Sequence, residues 1–357
     1  MKVTFLVPRE EFSGGARVIH IHAQALQQMG HDVTLIVPPL PKPSLMERIR
    51  RFRTGTPILK GGHYNGDDYR MIRLDRHRPI LPADVPDADV VIATWWETAE
   101  WMLALPERAG KKVHFVQHYE AFFPATAHRV DAVLAAKTRK ITISNWLDEK
   151  LRLEFGNEDI ALVPNGVDMQ QFNAPPRARQ GVFTIGTLYH LAGFKNTRMA
   201  LDIFSRFRAR HPNARLMTFG ERPGLSELPL PEGAVHTARP AQDRIRNVYA
   251  QCDIWLCPSL SEGFGLPMLE AMACRCPVIS TPAGAAPDFI REGENGFLIP
   301  FDGIDRALEL LEHVAALDEP GWRRLSDAAY ATALGASWEN ASKRFEQALL
   351  ETVARAS

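Results

Sequence analysis

Short apolar runs rich in β-branched residues alternate with amphipathic stretches along nearly the whole chain. Runs of this length without polar alternation are typical of strands buried on both faces, which is the pattern of a parallel sheet. In the first half the predicted strands are 2–7, 32–37, 71–74, 89–93, 112–117 and 139–144. In the second half they are 182–186, 214–219, 234–238, 253–257, 277–280 and 297–299.

Helical periodicity connects many of these strands, so the chain consists of βαβ units and its class is α/β with doubly wound parallel sheets. The predicted helices are 15–29, 197–210, 241–251, 267–274, 304–316 and 337–357. A chain of 357 residues exceeds the usual size of one hydrophobic core. The segment 163–181 is rich in Pro, Asn and Gly and has the composition of a linker. We therefore expect two domains, 1–170 and 171–336, followed by a C-terminal helix, 337–357.

Bulk composition excludes several classes of protein. Lys plus Arg and Asp plus Glu are equal at 42 each, so no overall charge favours nucleic acid as a partner. The apolar part of the N-terminal sequence is too short for a secretory signal, and no stretch approaches the roughly 18 apolar residues of a membrane span. The cysteines match no zinc-binding spacing and are expected in the core. The four cysteines are Cys252, Cys257, Cys274 and Cys276. Together these features favour a cytoplasmic protein.

The segment 258–280 carries the most specific motif in the chain. Gly263, Phe264 and Gly265 follow a predicted strand, and Pro267 favours the start of a helix directly after them. The glycines permit close approach of the backbone, and a helix N-terminus offers unpaired N–H groups and partial positive charge. A pyrophosphate would bind at such a turn.

Two carboxylates, Glu262 and Glu270, flank this predicted anion site. A carboxylate beside a phosphate is unfavourable unless it accepts hydrogen bonds from hydroxyl groups. The pair therefore suggests a ligand with phosphates and two sets of hydroxyls, as in a sugar nucleotide. The alternative is that Glu270 only complements the helix dipole and that Glu262 is a solvated turn residue.

The segment from Glu262 to Glu270 resembles the Glu-x7-Glu signature of the retaining family-four (group 1) glycosyltransferases. The resemblance extends through a Gly-Gly turn after the first strand, the linker 163–168, and the segments 277–290 and 294–300. It implies the GT-B fold, in which two Rossmann-like domains face a central cleft and the C-terminal helix, 337–357, crosses back to the N-terminal domain. It also implies transfer of a sugar from a nucleoside-diphosphate sugar to an acceptor hydroxyl with retention of configuration, without a metal or other cofactor.

The resemblance assigns roles in the second half of the chain. Glu262 would contact the donor sugar, the backbone at Phe264, Gly265 and Leu266 would hold sugar and phosphate, and Glu270 would bind the ribose hydroxyls. Lys195 resembles the lysine that neutralises the diphosphate leaving group.

The sequence departs from the family pattern beside that lysine. Members of the family carry an arginine directly after the glycine that corresponds to Gly186. Here Thr187 follows Gly186. We place both residues at the donor site, with one phosphate-binding cation missing or supplied from elsewhere.

In the first half, Gly14 and Gly15 follow the first strand without a complete G-x-G-x-x-G, which disfavours a nicotinamide cofactor. By resemblance, this turn lies over the donor phosphates and the acceptor, with Gly15 assigned to the donor and Gly14 to the acceptor. His118 resembles the family histidine near the reacting anomeric carbon, although a histidine at a strand end is often structural. Three further acceptor candidates are expected at the end of the strand 89–93: Trp95, Trp96 and Glu97.

Two alternative functions remain open on the same fold: a nucleotide-sugar epimerase, and a non-catalytic module that binds a sugar nucleotide. The basic amphipathic segment 44–53 adds a further hypothesis, since it combines four apolar residues with four arginines. Such a pattern is typical of segments that lie on an anionic membrane surface, here the inner face of the cell membrane. A solvated loop or a basic patch for an anionic glycan would have the same composition.

Overall fold

The computed structural model describes residues 1–40, 46, 61–64, 66–222, 224 and 226–355. The segment 44–53, apart from Met46, lies outside these residues. The chain divides into two compact units. Unit 1 combines Met1–Ile143 and Leu147–Val163 with the end of the chain from Ser342, and unit 2 combines Ser144–Trp146 with Pro164–Ala341.

Unit 1 contains a parallel sheet in the order β3-β2-β1-β4-β5-β6-β7. The strands are β1 (Lys2–Leu6), β2 (Asp32–Val37), β3 (Arg70–Arg73), β4 (Val90–Ala93), β5 (Lys111–Val116), β6 (Arg139–Thr142) and β7 (Ile160–Leu162). The helices are α1 (Gly14–Gln28), α2 (Trp96–Leu103), α3 (Pro124–Ala135) and α4 (Asn145–Phe155). The strand order reverses between β1 and β4, and ligands of open α/β sheets bind at such switch points, beyond the carboxyl ends of the strands.

Unit 2 contains a second parallel sheet in the order β10-β9-β8-β11-β12-β13. The strands are β8 (Thr184–Leu188), β9 (Arg215–Gly220), β10 (Ala234–Ala238), β11 (Ile254–Cys257), β12 (Val278–Ser280) and β13 (Gly296–Leu298). The helices are α5 (Thr197–Arg210), α6 (Gln242–Ala250), α7 (Leu266–Ala273), α8 (Ala286–Phe289), α9 (Ile304–Ala316) and α10 (Glu319–Gly335). Phe204, Phe207 and Trp322 are fully buried in its core.

The last helix, α11 (Trp338–Ala354), contributes its residues from Ser342 onward to unit 1. Phe345 is completely buried and stacks on His22, with ring centroids 4.4 Å apart. It also meets Phe115 edge-on at 5.0 Å. Burial lowers the pKa of His22 to about 3, so this ring is neutral and acts as part of the core.

Every strand predicted from the sequence is present, shifted by a residue or two at most. The prediction missed β7, which is short and incompletely buried. It placed Trp95, Trp96 and Glu97 directly after the strand 89–93, and the structure adds that they begin a helix. The strand β4 ends at Ala93, Trp95 is the N-cap of α2, and the next two residues form its first turn.

Candidate functional site

A pocket of about 460 Å³ lies in unit 2 at the carboxyl ends of β8, β11 and β12. This is the edge at which parallel α/β sheets bind ligands. Five of the residues proposed from the sequence line it: Thr187, Lys195, Glu262, Phe264 and Gly265. Among the described residues, its walls also include Ser259, Pro267, Met268 and Ser280.

The turn before α7 has the geometry of an anion site. Gly265 is the N-cap, and its φ of +94° is one that residues with a side chain rarely adopt. No side chain caps the helix, and Pro267 occupies its first turn. Pro267 has no N–H, and the Met268 N–H already donates to the Gly265 carbonyl at 3.0 Å, so this turn offers the N–H of Leu266 to a bound phosphate.

Lys195 and Glu262 form the central ion pair of the pocket. The ammonium group of Lys195 donates to both carboxylate oxygens of Glu262, at 2.7 and 2.9 Å. Ser259 Oγ donates to the same carboxylate at 2.8 Å. The two charged side chains are 19% and 15% exposed, so the pair is shielded from bulk water while it can still be reached by a ligand. Sequence reasoning found both charged residues but missed their direct pairing and the role of Ser259.

Charged side chains of both signs surround His190 at this edge of the sheet. The pKa of His190, which follows β8, is lowered by burial and further by the charge of Lys195. Arg222, which follows the neighbouring strand β9, acts in the same direction, while Glu221 and Glu262 act against it. His190 is therefore neutral at neutral pH and contributes hydrogen bonding, not charge.

The second carboxylate of the signature, Glu270, lies in α7 and is 8% exposed. Its Oε2 atom accepts a hydrogen bond from the hydroxyl of Tyr249, at 2.9 Å. Glu270 does not line the described pocket, and neither do Leu266 and Gly186. The sequence analysis had not selected Tyr249.

Gly186 and Thr187 both have structural roles in unit 2. A Cβ atom at Gly186 would lie 2.1 Å from the ring of Trp255, so the residue permits close packing of β8 against β11. The hydroxyl of Thr187 donates to the carbonyl of Leu256 at 3.0 Å. The position at which family members carry an arginine therefore holds a buried, neutral side chain.

Cys257, at the end of β11, also lines the pocket. Burial, with the nearby Glu262 carboxylate, raises the pKa of its thiol to about 12. The group is a neutral thiol at neutral pH and is poorly suited to act as a nucleophile.

In unit 1, the turn after β1 leads directly into α1, whose first two residues are Gly14 and Gly15. Ser13 caps this helix, since its side chain accepts a hydrogen bond from the N–H of Ala16. The glycines thus lie at a helix N-terminus on the carboxyl edge of the first sheet, beside the switch point between β1 and β4.

Three rings form an aromatic wall at the same edge: Trp95, His118 and Phe122. The rings of Trp95 and Phe122 are nearly parallel, with centroids 6.4 Å apart. The His118 ring lies 5.0 Å from Phe122. Phe122 is 42% exposed, so the wall is accessible to a ligand. The sequence analysis missed Phe122, although it is the aromatic residue four positions after His118.

Trp96 and Glu97 do not belong to this wall. Trp96 is buried, with the guanidinium group of Arg129 4.6 Å from its ring. The backbone N–H of Trp96 donates to Glu120 Oε2 at 2.7 Å. Burial raises the pKa of Glu120 well above its ordinary value, and the nearby Glu97 carboxylate adds to the effect. Glu120 is a buried carboxyl group in the β5–α3 loop that the sequence analysis did not select.

His118 is oriented by its own loop. Its Nδ1 atom donates to the carbonyl of Tyr119 at 2.8 Å, because a carbonyl can only accept. In the neutral ring, Nε2 then carries no proton and can accept a hydrogen bond from a hydroxyl group.

Among residues 1–40, 46, 61–64, 66–222, 224 and 226–355, no cluster of three His, Cys, Asp or Glu side chains could hold a metal ion. Within these same ranges, no helix has the length and apolar character needed to cross a membrane.

Comparison with known proteins gives matches in both units. The family model described as Glycosyltransferase Family 4 matches residues 12–171, and the model described as Glycosyl transferases group 1 matches residues 179–317. The chain belongs to the family-four, group 1 glycosyltransferases. The glycosyltransferase signature proposed from residues 262–270 lies inside the second match.

Curated relatives of this glycosyltransferase chain include two D-inositol 3-phosphate glycosyltransferases. The protein of Mycobacterium leprae (strain Br4923) is 31% identical over 209 residues, which cover 54% of this chain and 48% of the relative. That of Acidothermus cellulolyticus is 25% identical over 292 residues, covering 71% of this chain and 64% of the relative. The chain spans about half the length of the mycobacterial relative.

Solved structures confirm the GT-B fold. Sucrose-phosphate synthase from Thermosynechococcus elongatus is similar with a TM-score of 0.76 and 16% identity, over 100% of both chains. Anabaena HepE, solved in complex with UDP and glucose, is similar with a TM-score of 0.74 and 17% identity, over 98% of this chain and 100% of its own. At these identities the likeness concerns the fold alone.

Proposed function

We propose that the protein transfers a glycosyl unit from a nucleoside-diphosphate sugar to an acceptor hydroxyl and retains the anomeric configuration. The observation that carries this proposal is the pairing of Lys195 with Glu262 inside a pocket at the N-terminus of α7. A cation, a hydrogen-bonding carboxylate and the N-terminus of a helix together match a ligand that combines phosphates with sugar hydroxyls.

In the free protein, Lys195 is neutralised by Glu262. A bound diphosphate would compete for its ammonium group, and the Glu262 carboxylate could then accept a hydrogen bond from a hydroxyl of the donor sugar. Preorganised charge of this kind stabilises a leaving group more than it stabilises the bound substrate, because negative charge grows on the phosphate oxygen as the bond breaks. Lys195 is thus assigned to the departing diphosphate.

The reaction balances without an added base. The bond between the anomeric carbon and the phosphate oxygen breaks, and the acceptor oxygen bonds to that carbon on the same face. The acceptor proton passes to the departing phosphate. The protein supplies position and electrostatic stabilisation, and the proposal requires no resident metal, because Lys195 and the N-terminus of α7 provide the positive charge.

We further propose that unit 1 binds the acceptor. The aromatic wall suits the apolar face of a sugar ring, and His118 Nε2 can accept a hydrogen bond from a hydroxyl. His118 is assigned to the reacting centre and Trp95 to the acceptor, as the sequence predicted. Gly14 and Gly15 remain assigned to the acceptor and to the donor phosphates, respectively, because they form an N-terminal helix turn at the same edge.

A thermal-shift screen tests the donor assignment. UDP, GDP and dTDP, each with its glucose or mannose derivative where available, are compared with NAD. We expect at least one nucleoside diphosphate to raise the melting temperature, and NAD to have no effect. Stabilisation by NAD alone would contradict the proposal.

The variant His118→Ala refines the same test. We expect it to lower turnover strongly while donor affinity changes little, because His118 is assigned to the reacting centre and not to the nucleotide. Turnover close to that of the wild type would remove His118 from the mechanism. Release of an isomerised free donor would instead support the epimerase alternative, and binding without turnover of any acceptor would support a binding module.

The acceptor panel should include phosphorylated and neutral rings, since the curated relatives carry the name D-inositol 3-phosphate glycosyltransferase. We also propose a cytoplasmic enzyme whose segment 44–53 contacts anionic lipid, supported by the sequence pattern of that segment. Flotation with anionic and neutral vesicles at low salt tests this, and equal recovery with both would contradict it.

A further inference from the structure

Tyr249 is a buried tyrosine that the mechanism above does not use. It lies on α6 and is completely buried, and its hydroxyl donates to Glu270 Oε2 at 2.9 Å. Burial and the adjacent Glu270 carboxylate raise the pKa of this hydroxyl well above its ordinary value, so it remains a proton donor throughout the physiological range. The bond therefore runs in one direction, from tyrosine to carboxylate.

The tyrosine ring is held rigidly. Its centroid is 4.5 Å from that of Trp255 at an angle of 61°, and 5.5 Å from that of Phe219 at 84°. Phe172 meets it edge-on at 6.1 Å. A ring packed on several sides has one rotamer, so the position of its hydroxyl is fixed by the core of unit 2.

This rigidity matters because Glu270 has a side chain with three rotatable bonds. A carboxylate that binds a hydroxyl must present an oxygen in one direction, and an anchored donor at its other oxygen reduces the number of orientations it can take. Residues that hold a binding group in this way change affinity without touching the ligand.

We propose that Tyr249 is a positioning residue that orients Glu270 toward the ribose hydroxyls of the donor nucleotide. The inference rests on the proposed function and on the assignment, by family resemblance, of Glu270 to the ribose hydroxyls. It adds that recognition of the ribose depends on a tyrosine of the neighbouring helix, 21 residues before the carboxylate.

The test compares Tyr249→Phe with the wild type by calorimetry. The probes are UDP, GDP and dTDP and the 2′,3′-dideoxy form of each, and the pair that contains the tightest binder is used. In the wild type, the ribose hydroxyls should improve affinity. In Tyr249→Phe, we expect the affinity for the hydroxylated probe to fall about three- to tenfold while that for the dideoxy probe is unchanged.

Tyr189→Phe is the matched control. Tyr189 is equally buried in unit 2, and its hydroxyl donates to a backbone carbonyl, that of Leu228, at 2.7 Å. Both variants lose one buried hydrogen bond, so both should lose similar stability. Only Tyr249→Phe should lose discrimination between the two probes, and adding Glu270→Gln to it should cause little further loss.

The outcomes separate the two proposals. If the folded Tyr249→Phe variant keeps wild-type discrimination, or loses affinity for both probes equally, the positioning role is overturned and the proposed function stands. If the wild type binds none of the nucleoside diphosphates, the proposed function fails, and the inference fails with it.

Discussion

The two units share one architecture but carry different side chains at the carboxyl edges of their sheets. In unit 2 the edge is charged and fixed by side-chain pairs: Lys195 with Glu262, and Tyr249 with Glu270. In unit 1 the same edge carries an aromatic wall with an accessible ring, Phe122. The difference indicates that a doubly wound sheet determines where a ligand binds, whereas the loop residues determine which chemistry it meets.

The cores differ as well. Apart from Ser144–Trp146, unit 2 is built from consecutive chain, whereas unit 1 includes residues of α11 from the far end of the chain. Phe345 of that helix stacks on the neutral ring of His22. Unit 1 should therefore be the more sensitive of the two to changes at the C-terminus.

Of the variants considered, Phe345→Ala should have the largest effect, and it should destabilise unit 1 and not unit 2. Removing a fully buried phenylalanine costs about 3–5 kcal/mol, because the cavity is only partly refilled. We expect hydrogen exchange to rise across unit 1 while unit 2 keeps its protection. Leu350→Ala is the control on the same helix, since Leu350 is 41% exposed and should have a small effect. Equal loss of protection in both units would contradict the assignment of α11 to unit 1.

Lys195→Met should have the next largest effect, on catalysis and not on folding. Loss of one preorganised group that stabilises developing charge lowers kcat by about 100- to 1,000-fold. Donor affinity should also fall, because the diphosphate is charged before the reaction. Arg198→Met removes an exposed cation three residues away and serves as the control for charge alone. Steady-state kinetics with the donor identified by the screen would measure both effects, and unchanged kinetics in Lys195→Met would place the diphosphate elsewhere.

His22→Phe should reveal a pH effect confined to unit 1. The pKa of His22 is lowered to about 3, so between pH 6.5 and 3 the unfolded chain binds a proton that the folded chain does not. Stability is therefore lost as the pH falls through 6.5. Phenylalanine removes this loss, and between pH 7 and 5 the variant should gain about 2 kcal/mol relative to the wild type. Denaturant unfolding at the two pH values checks this, and a difference independent of pH would contradict it.

Phe122→Ala should have the smallest effect, and only on the acceptor. Loss of one stacking ring costs about 1 kcal/mol, so the acceptor KM should rise about fivefold while donor affinity is unchanged. The neighbouring Phe123, which is 69% exposed, provides the control variant Phe123→Ala. If the two variants raise the acceptor KM equally, the wall formed with Trp95 and His118 has no special role.

The sequence predicted the sheets well because their strands are continuous apolar runs, a local property. It missed the strand β7 and the helices α2, α3, α4, α8 and α10. The helix α10 buries Trp322 and Leu325 together with small residues, and β7 is a short edge strand. In both cases tertiary packing, and not local pattern, decides the structure.

The candidate site was predictable residue by residue but not as an arrangement. Glu262 and Lys195 each stand in a recognisable motif, but they are 67 positions apart, so the sequence does not show that they form an ion pair. Tyr249 stands in no motif, because only the fold brings its hydroxyl to Glu270. Trp96 looked like a ligand-binding aromatic, but its place in the first turn of α2 makes it part of the core.

The most direct test of the central claim is the stereochemistry of the product. The purified protein is incubated with the α-linked nucleoside-diphosphate sugar that stabilises it and with a panel of neutral and phosphorylated acceptors, and the anomeric proton of the product is observed by NMR. The account predicts a new glycoside that keeps the α configuration and is formed in step with release of the nucleoside diphosphate. Lys195→Met should form it about 100- to 1,000-fold more slowly. A β-linked product, or an isomerised donor with no glycoside formed, would contradict it.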